Sequence, residues 1–248
     1  MDTPHGQAET GRYMRLLERL LHVCGWALVG VVAFGIGAFV AGQLYRVLIG
    51  AGVPVSAETP TGQLLLGLVM YGCMAGVFIT IARYRRVSFS WREIGLVRLL
   101  EWKDIGLALV GVVAYLLLTY VGLQLASLVP GFDATQSQQV GLGPMYGTNR
   151  ALAFLSLVVV SPMIEEIIFR GMLYGRMRRA LLPWWVPALV VSAVFGVAHL
   201  QWNVGVDVFC LSIVLCSLRE VTGSIWAGIL VHMLKNAVAF FVMFGIWG

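Results

Sequence analysis

The chain alternates between long apolar runs and short polar connections. A helix that crosses a bilayer needs about 20 mostly apolar residues. Seven runs have or approach this length, and each predicts a membrane-spanning helix: Val23 to Leu48, Leu64 to Ala82, Ile105 to Val129, Ala151 to Tyr174, Trp185 to Leu200, Val204 to Leu218 and Ile225 to Trp247. The fifth and sixth runs are short and closely spaced, so six or eight spans are alternatives. The pattern predicts an all-α, polytopic transmembrane helix bundle.

The composition excludes a soluble fold. Of the 248 residues, 59% are hydrophobic and 12% are charged, and the mean hydropathy is +0.87. Soluble domains are roughly half apolar and about a quarter charged. Lys and Arg exceed Asp and Glu by 17 to 12, but the excess lies in short clusters between apolar runs. This distribution indicates membrane topology, and we expect no nucleic-acid partner.

The basic clusters predict the orientation of the chain, because Lys and Arg concentrate on the cytoplasmic side of a membrane. The loops Val53 to Gly62 and Pro130 to Asn149 have few basic residues and are expected outside. With seven spans the N-terminus is then cytoplasmic and Gly248 lies outside. We expect an integral protein of a bacterial cytoplasmic membrane. The clusters before the first run, after the second and after the fourth are Arg12, Arg15 and Arg19; Arg83, Arg85, Arg86, Arg92, Arg98 and Lys103; and Arg176, Arg178 and Arg179.

The chain shows no internal repeat, so we expect one membrane domain, residues 21–248, after a cytoplasmic N-terminal segment, residues 1–20. Its core of polar motifs lies within residues 151–247. Between the second and third runs, Val87 to Asp104 mixes apolar and charged residues in a way that predicts an amphipathic helix at the cytoplasmic interface. Such a helix could control access to a site, or it could simply connect two spans.

Five polar residues of the fourth, fifth and seventh apolar runs form a candidate set: Glu165, Glu166, His199, His232 and Asn236. Ionisable groups in a span cost several kcal/mol unless they face partners or a water-filled cavity, so each is a candidate for function. The alternative for a single His or Asn is interhelical hydrogen bonding. Three helices that start from the same side could bring the set together in the cytoplasmic half or near the middle of the bilayer.

Helical geometry separates the roles of these residues. Glu166 and Arg170 are four apart and can pair on one face, as can His232 and Asn236. Adjacent residues differ by about 100° around a helix, so Glu165 and Glu166 are expected to face different surroundings. A Glu–Arg pair at this spacing is also common as a purely structural pair.

Three short motifs resemble those of a known family. They are Glu165-Glu166-Ile-Ile-Phe-Arg170, Phe195-x-x-x-His199 and His232-x-x-x-Asn236. In this order they resemble the CAAX-prenyl-protease and bacteriocin-processing family, also called Abi, and the resemblance covers about Ser161 to Ala237.

The resemblance implies an intramembrane glutamic endopeptidase that needs no metal or other cofactor. Glu165, helped by His199, would activate a water. His232 and Asn236 would stabilise the oxyanion, and Glu166, Arg170 and Phe195 would support the site. The expected partners are membrane lipids and a membrane-associated peptide or protein substrate, and the oligomeric state is left open.

Three other functions compete with this interpretation. A zinc peptidase would use the same residue types as ligands, although the chain lacks His-Glu-x-x-His. A non-catalytic scaffold or regulator would keep the polar core to bind a partner helix. A proton-coupled transporter would also place carboxylates and histidines in spans, but such proteins often contain repeated halves. Lys235 stays unassigned, since it could pair with Glu166 or add to the positive field.

Overall fold

The computed structural model describes residues 4–136, 138, 141–142 and 147–245. Within these residues there are eight helices and no strand, which confirms the predicted all-α fold. The helices are α1 (Pro4–Gly50), α2 (Pro60–Tyr84), α3 (Trp91–Ile94), α4 (Trp102–Ala126), α5 (Gly147–Arg178), α6 (Trp185–Val197), α7 (Trp202–Thr222) and α8 (Trp226–Phe244). Each of the seven apolar runs coincides with one of the seven longer helices.

Five of the described helices, α1, α2, α4, α5 and α8, are long and apolar enough to cross a membrane. The chain is therefore an integral membrane protein. Helix α6 has 13 residues, which is about 20 Å of helix and shorter than a bilayer core of roughly 30 Å. Helix α7 has 21 residues but carries Asp207, Arg219 and Glu220. The seven predicted spans thus exist as helices, and five of them meet the spanning criterion.

Local signals set where helices begin. The backbone N–H of Gly62 donates to the Thr59 hydroxyl at 3.2 Å, which caps α2, and Pro60 follows at the first helical position, where its missing N–H costs nothing. The expected outer loop from Pro130 to Asn149 lies only partly within the described residues. The predicted end of the last span at Trp247, the terminal Gly248 and residues 1–3 lie outside them.

The predicted amphipathic helix over Val87 to Asp104 is wrong in extent, because only the single turn α3 forms there. Ser90 caps this turn, and Gly95 ends it in the left-handed conformation with φ of 87°. A new helix then starts at a reciprocal cap: the Asp104 carboxylate accepts from the Glu101 backbone N–H at 3.0 Å. The end of one helix and the cap of the next lie only a few residues apart, so the apolar periodicity does not produce one continuous helix here.

Glu93 fastens this connection to the ends of α5 and α7. Its carboxylate lies 2.9 Å from Nε of Arg176 and 3.0 Å from Nη2 of Arg179. Its backbone carbonyl accepts from Nη2 of Arg219 at 2.9 Å. Arg176 is buried, so part of the basic cluster predicted to mark topology forms internal ion pairs. We call this face of the molecule the basic end.

Helices α6 and α7 touch at two glycines. A Cβ atom added to Gly196 would lie 2.8 Å from the backbone carbonyl oxygen of Gly205. The backbones can approach this closely only because neither residue has a side chain, as is common where membrane helices pack. This contact fixes the last turn of α6, which holds Phe195 and leads to His199.

Candidate active site

Helix α5 is irregular where it passes through the bundle. Two of its segments, Leu155–Val160 and Glu166–Tyr174, are π-helical, with hydrogen bonds between residues five apart. Pro162 lies between these segments. Stretches of π-helix are rare and are often found at functional sites. The irregularity here has a direct consequence for one of the predicted site residues.

Asn236 bonds to a backbone carbonyl that α5 leaves free. The N–H of Ser161 donates to the carbonyl of Ser156, and Pro162, the next residue, has no N–H to donate to the carbonyl of Leu157. The Asn236 side chain supplies the missing donor, with Nδ2 2.9 Å from the Leu157 oxygen. One amide hydrogen of Asn236 is thereby used, and its second hydrogen and its oxygen stay available.

Glu166 forms a buried ion pair within α5, as its spacing predicts. Its Oε1 accepts from Nη1 of Arg170 at 2.8 Å and lies 3.0 Å from Nδ1 of His232. All three residues are at most 2% exposed. The Arg170 guanidinium carbon also lies 4.5 Å from the ring centre of Phe195, a cation–π distance. The pair therefore anchors His232 of α8 and Phe195 of α6 to α5.

Glu165 faces a different environment from Glu166, as expected for neighbours on a helix. Its Oε1 accepts a short hydrogen bond, 2.5 Å, from the Tyr71 hydroxyl of α2. Its Oε2 lies 3.6 Å from Nε2 of His232, and its side chain keeps 15% of its exposure. The two ring nitrogens of His232 thus point at two different glutamates. Glu166 is enclosed by protein, whereas Glu165 opens into a cavity.

His199 lies just after the end of α6, held by a bond to its own preceding turn. Its Nδ1 is 2.8 Å from the backbone oxygen of Phe195. A carbonyl oxygen can only accept, so this contact assigns the hydrogen to Nδ1. In the neutral ring Nε2 is then an acceptor. The rings of His199 and Phe195 pack edge to face, with centroids 4.9 Å apart, which fixes the orientation of the imidazole.

The four residues predicted to be catalytic line one cavity of about 180 Å³. Further polar groups on its wall come from Tyr71, Ser161 and Lys235. The four predicted residues are Glu165, His199, His232 and Asn236. The supporting residues Glu166, Arg170 and Phe195 lie behind this wall. The structure therefore brings together all seven residues selected from the sequence.

Lys235 pairs with a residue that sequence reasoning did not select. Its Nζ lies 3.3 Å from Oδ2 of Asp207 on α7, and the other carboxylate oxygen of Asp207 accepts from the Tyr115 hydroxyl of α4 at 2.6 Å. Lys235 is therefore paired with Asp207 and not with Glu166, the pairing that the sequence left open as one of two alternatives. The Asp207 carboxylate joins α4, α7 and α8 and directs the ammonium group of Lys235 at the cavity.

The sequence analysis did not select two residues of this site, Asp207 and Tyr71, and only Asp207 had a clear signal in the sequence. Asp207 is an ionisable residue inside an apolar run, which is the property that singled out the glutamates. Tyr71 lies in the second apolar run, where a tyrosine does not carry the free-energy cost of burying an ionisable group. Its role depends on the packing of α2 against α5, which the sequence pattern does not specify.

The described residues contain no group of three or more His, Cys, Asp or Glu side chains arranged to hold a metal ion. Glu166 is already paired with the Arg170 cation at 2.8 Å. A divalent cation at that carboxylate would have to approach the buried guanidinium. The polar groups that line the cavity include one carboxylate, two imidazoles, one amide, one ammonium group and the hydroxyls of Tyr71 and Ser161.

Comparison with known families gives one match, which covers the part of the chain that carries the three motifs. Residues 147–238 match the family described as Rce1-like, type II CAAX prenyl endopeptidase. The match runs from the start of α5 into α8 and includes every residue predicted for the site, and it confirms the family resemblance of the three motifs. The family is one of intramembrane peptidases of the CAAX-protease type. No curated protein and no solved structure gives a significant match.

Proposed function

We propose that this protein is an intramembrane glutamic endopeptidase that cleaves a membrane-associated peptide or protein. The observation that carries the proposal is the shared cavity of Glu165, His199, His232 and Asn236. Each of these side chains is held by a neighbour through one atom, and each keeps a second polar atom for a ligand. Preorganised groups of this kind are what catalysis of peptide hydrolysis requires.

Glu165 and His199 suit the activation of water. Tyr71 holds one oxygen of the Glu165 carboxylate, and the other oxygen can take a proton from a water. The neutral His199 ring offers Nε2 as an acceptor for the same water. In the proposed reaction this water loses a proton to Glu165, and its oxygen attacks the peptide carbonyl carbon. The C–N bond then breaks, and Glu165 returns the proton to the departing amine.

His232 and Asn236 suit stabilisation of the oxyanion. The Nδ1 atom of His232 faces the Glu166 carboxylate, so its Nε2 can donate into the cavity only when the ring is doubly protonated. Asn236 adds its second amide hydrogen. Donors aimed at the developing charge typically contribute a factor of about 100 to 1,000 each.

The membrane location supports a membrane-associated substrate. The site lies among helices of the bundle, and a substrate segment held in or on the bilayer would reach it without a soluble docking domain. The basic clusters meet at one end of the molecule, so the proposed orientation places that end and the N-terminus in the cytoplasm of a bacterial cell.

The proposal is tested by comparing membrane-peptide processing in cells that contain the wild type, Glu165→Ala or His199→Ala at equal levels. We expect both variants to abolish cleavage of the affected peptides. Glu58→Ala, which removes an exposed acidic side chain far along the chain from the site, is the control and should be fully active. Full function of both site variants would show that the protein acts as a scaffold or regulator instead.

A further inference from the structure

Three arginines near the start of α1 share one face of the helix. Arg12, Arg15 and Arg19 are spaced by three and four residues, which places them within about 60° of one another around the axis. All three are exposed. Exposed basic residues are common beside a membrane, and on a convex surface they would only mark the interface. Here they line a concavity.

The opposite wall of this concavity is the turn between α5 and α6. The arginines and the residues Leu181, Leu182 and Pro183 enclose a cavity of about 540 Å³. Nη1 of Arg19 donates to the backbone oxygen of Leu181 at 3.5 Å, a long hydrogen bond between the two walls. The cavity is therefore a cleft between α1 and the α5–α6 turn, at the basic end of the bundle.

Among the described residues, no acidic side chain pairs with the three arginines of this cleft. Among the described residues that line it there is no Asp or Glu, and none of its three arginines forms an ion pair there. The arginines of the α5 terminus behave differently: Arg176 and Arg179 share Glu93, and Arg178 is paired with Glu220 at 2.8 Å. The unpaired charges converge where the bilayer presents its headgroups.

We propose that this cleft binds the headgroup phosphate of an anionic glycerophospholipid. Guanidinium groups match phosphate oxygens in charge and in hydrogen-bond geometry, and clustered basic residues at a membrane surface attract anionic lipids. The acyl chains have apolar contacts at the cleft itself, because Leu16 of α1 and Leu181 of the α5–α6 turn line it and are exposed. A bound lipid would bridge α1 and the α5–α6 turn.

The experiment measures lipid binding to the purified full-length protein by native mass spectrometry. The probes are phosphatidylglycerol and, as the zwitterionic comparison, phosphatidylcholine. The test variant is Arg12→Gln, Arg15→Gln and Arg19→Gln combined. The matched control combines Arg83→Gln, Arg86→Gln and Arg92→Gln, which removes the same charge from exposed residues at the same end of the bundle. Neither variant alters a residue of the proposed active site.

We expect the wild type to bind one phosphatidylglycerol at least about tenfold more tightly than phosphatidylcholine. The test variant should lose at least about tenfold in phosphatidylglycerol affinity, and the control should stay within about twofold of the wild type. Equal losses in the two variants, or no loss in either, would overturn the proposal. Displacement of the lipid by an equal concentration of soluble glycerol phosphate would also overturn it, because the site would then recognise phosphate alone. These readouts do not depend on peptidase activity.

Discussion

Nδ1 of His232 lies 3.0 Å from Oε1 of Glu166, a carboxylate oxygen that also accepts from the buried guanidinium of Arg170. This contact separates the roles of the adjacent residues Glu165 and Glu166. Glu166 belongs to a closed, charge-balanced cluster that orients the imidazole. Glu165 reaches the other side of the same imidazole from the cavity, where a substrate and a water can enter. One ring thus separates the structural carboxylate from the proposed catalytic one.

The division predicts that substitution of Glu166 destabilises the protein far more than substitution of Glu165. Glu166→Gln would leave the Arg170 charge buried without its partner, which costs about 3 to 5 kcal/mol in comparable buried pairs. Glu165→Gln should change the stability by less than about 1 kcal/mol, since the amide can still accept from Tyr71. Thermal unfolding of the two variants in the same detergent measures the difference. Equal apparent melting temperatures would contradict this assignment of roles.

Tyr71 is predicted to act as a positioning residue through Glu165. Tyr71→Phe keeps the ring but removes the 2.5 Å hydrogen bond, and hydrogen bonds to charged groups contribute about 1.5 to 3 kcal/mol. We expect kcat to fall by roughly 10- to 100-fold while KM changes little. Tyr120→Phe, on the exposed face of α4, is the control and should leave both constants unchanged. A rise in KM at constant kcat would assign Tyr71 to substrate binding instead.

Asn236 is predicted to have two separable contributions. Asn236→Ala should lower kcat by about 100-fold or more through loss of an oxyanion donor. It should also cost about 1 to 3 kcal/mol of stability, because the Leu157 carbonyl loses its donor. Adding Pro162→Ala supplies a backbone N–H next to that carbonyl. The double variant should therefore regain stability without regaining activity, and recovery of both would show that Asn236 is purely structural.

Lys235 and Asp207 are predicted to be energetically coupled. Each single variant, Lys235→Met or Asp207→Asn, leaves the opposite charge without its partner in a mostly buried place. The double variant should be more stable than the sum of the single changes implies, by a coupling of about 1 to 3 kcal/mol. Unfolding measurements on the four proteins give this value. Strictly additive changes would mean that the contact contributes no stability.

The sequence could single out the residues at the centre of this cavity because the cost of burying charge is a local property. A glutamate or histidine within an apolar run is conspicuous wherever the helix packs, and the rule that selected Glu165 would equally have selected Asp207. Tyr71 could not be found in this way. Its importance depends on which face of α2 meets α5, and the apolar composition of α2 does not encode that choice.

Two features of the fold depend on individual partners that the sequence pattern does not specify. The amphipathic helix expected after α2 was inferred from periodicity alone, although Ser90 and Gly95 bound a single turn and Glu101 with Asp104 caps the next helix. The basic residues at the end of α5 were read as topology markers, yet Arg176 is buried against Glu93. Periodicity and charge counts describe an average environment, whereas caps and ion pairs depend on individual partners.

The central claim is that the Glu165 carboxylate activates water without a metal. The most direct test is kcat/KM for a cleaved peptide, measured with purified wild type and Glu165→Gln in the presence of a zinc chelator. The wild type should keep its full rate, and the variant should lose a factor of about 100 to 10,000, the usual contribution of a general base. A variant that keeps the wild-type rate, or a wild type that the chelator inactivates and zinc restores, would contradict the claim.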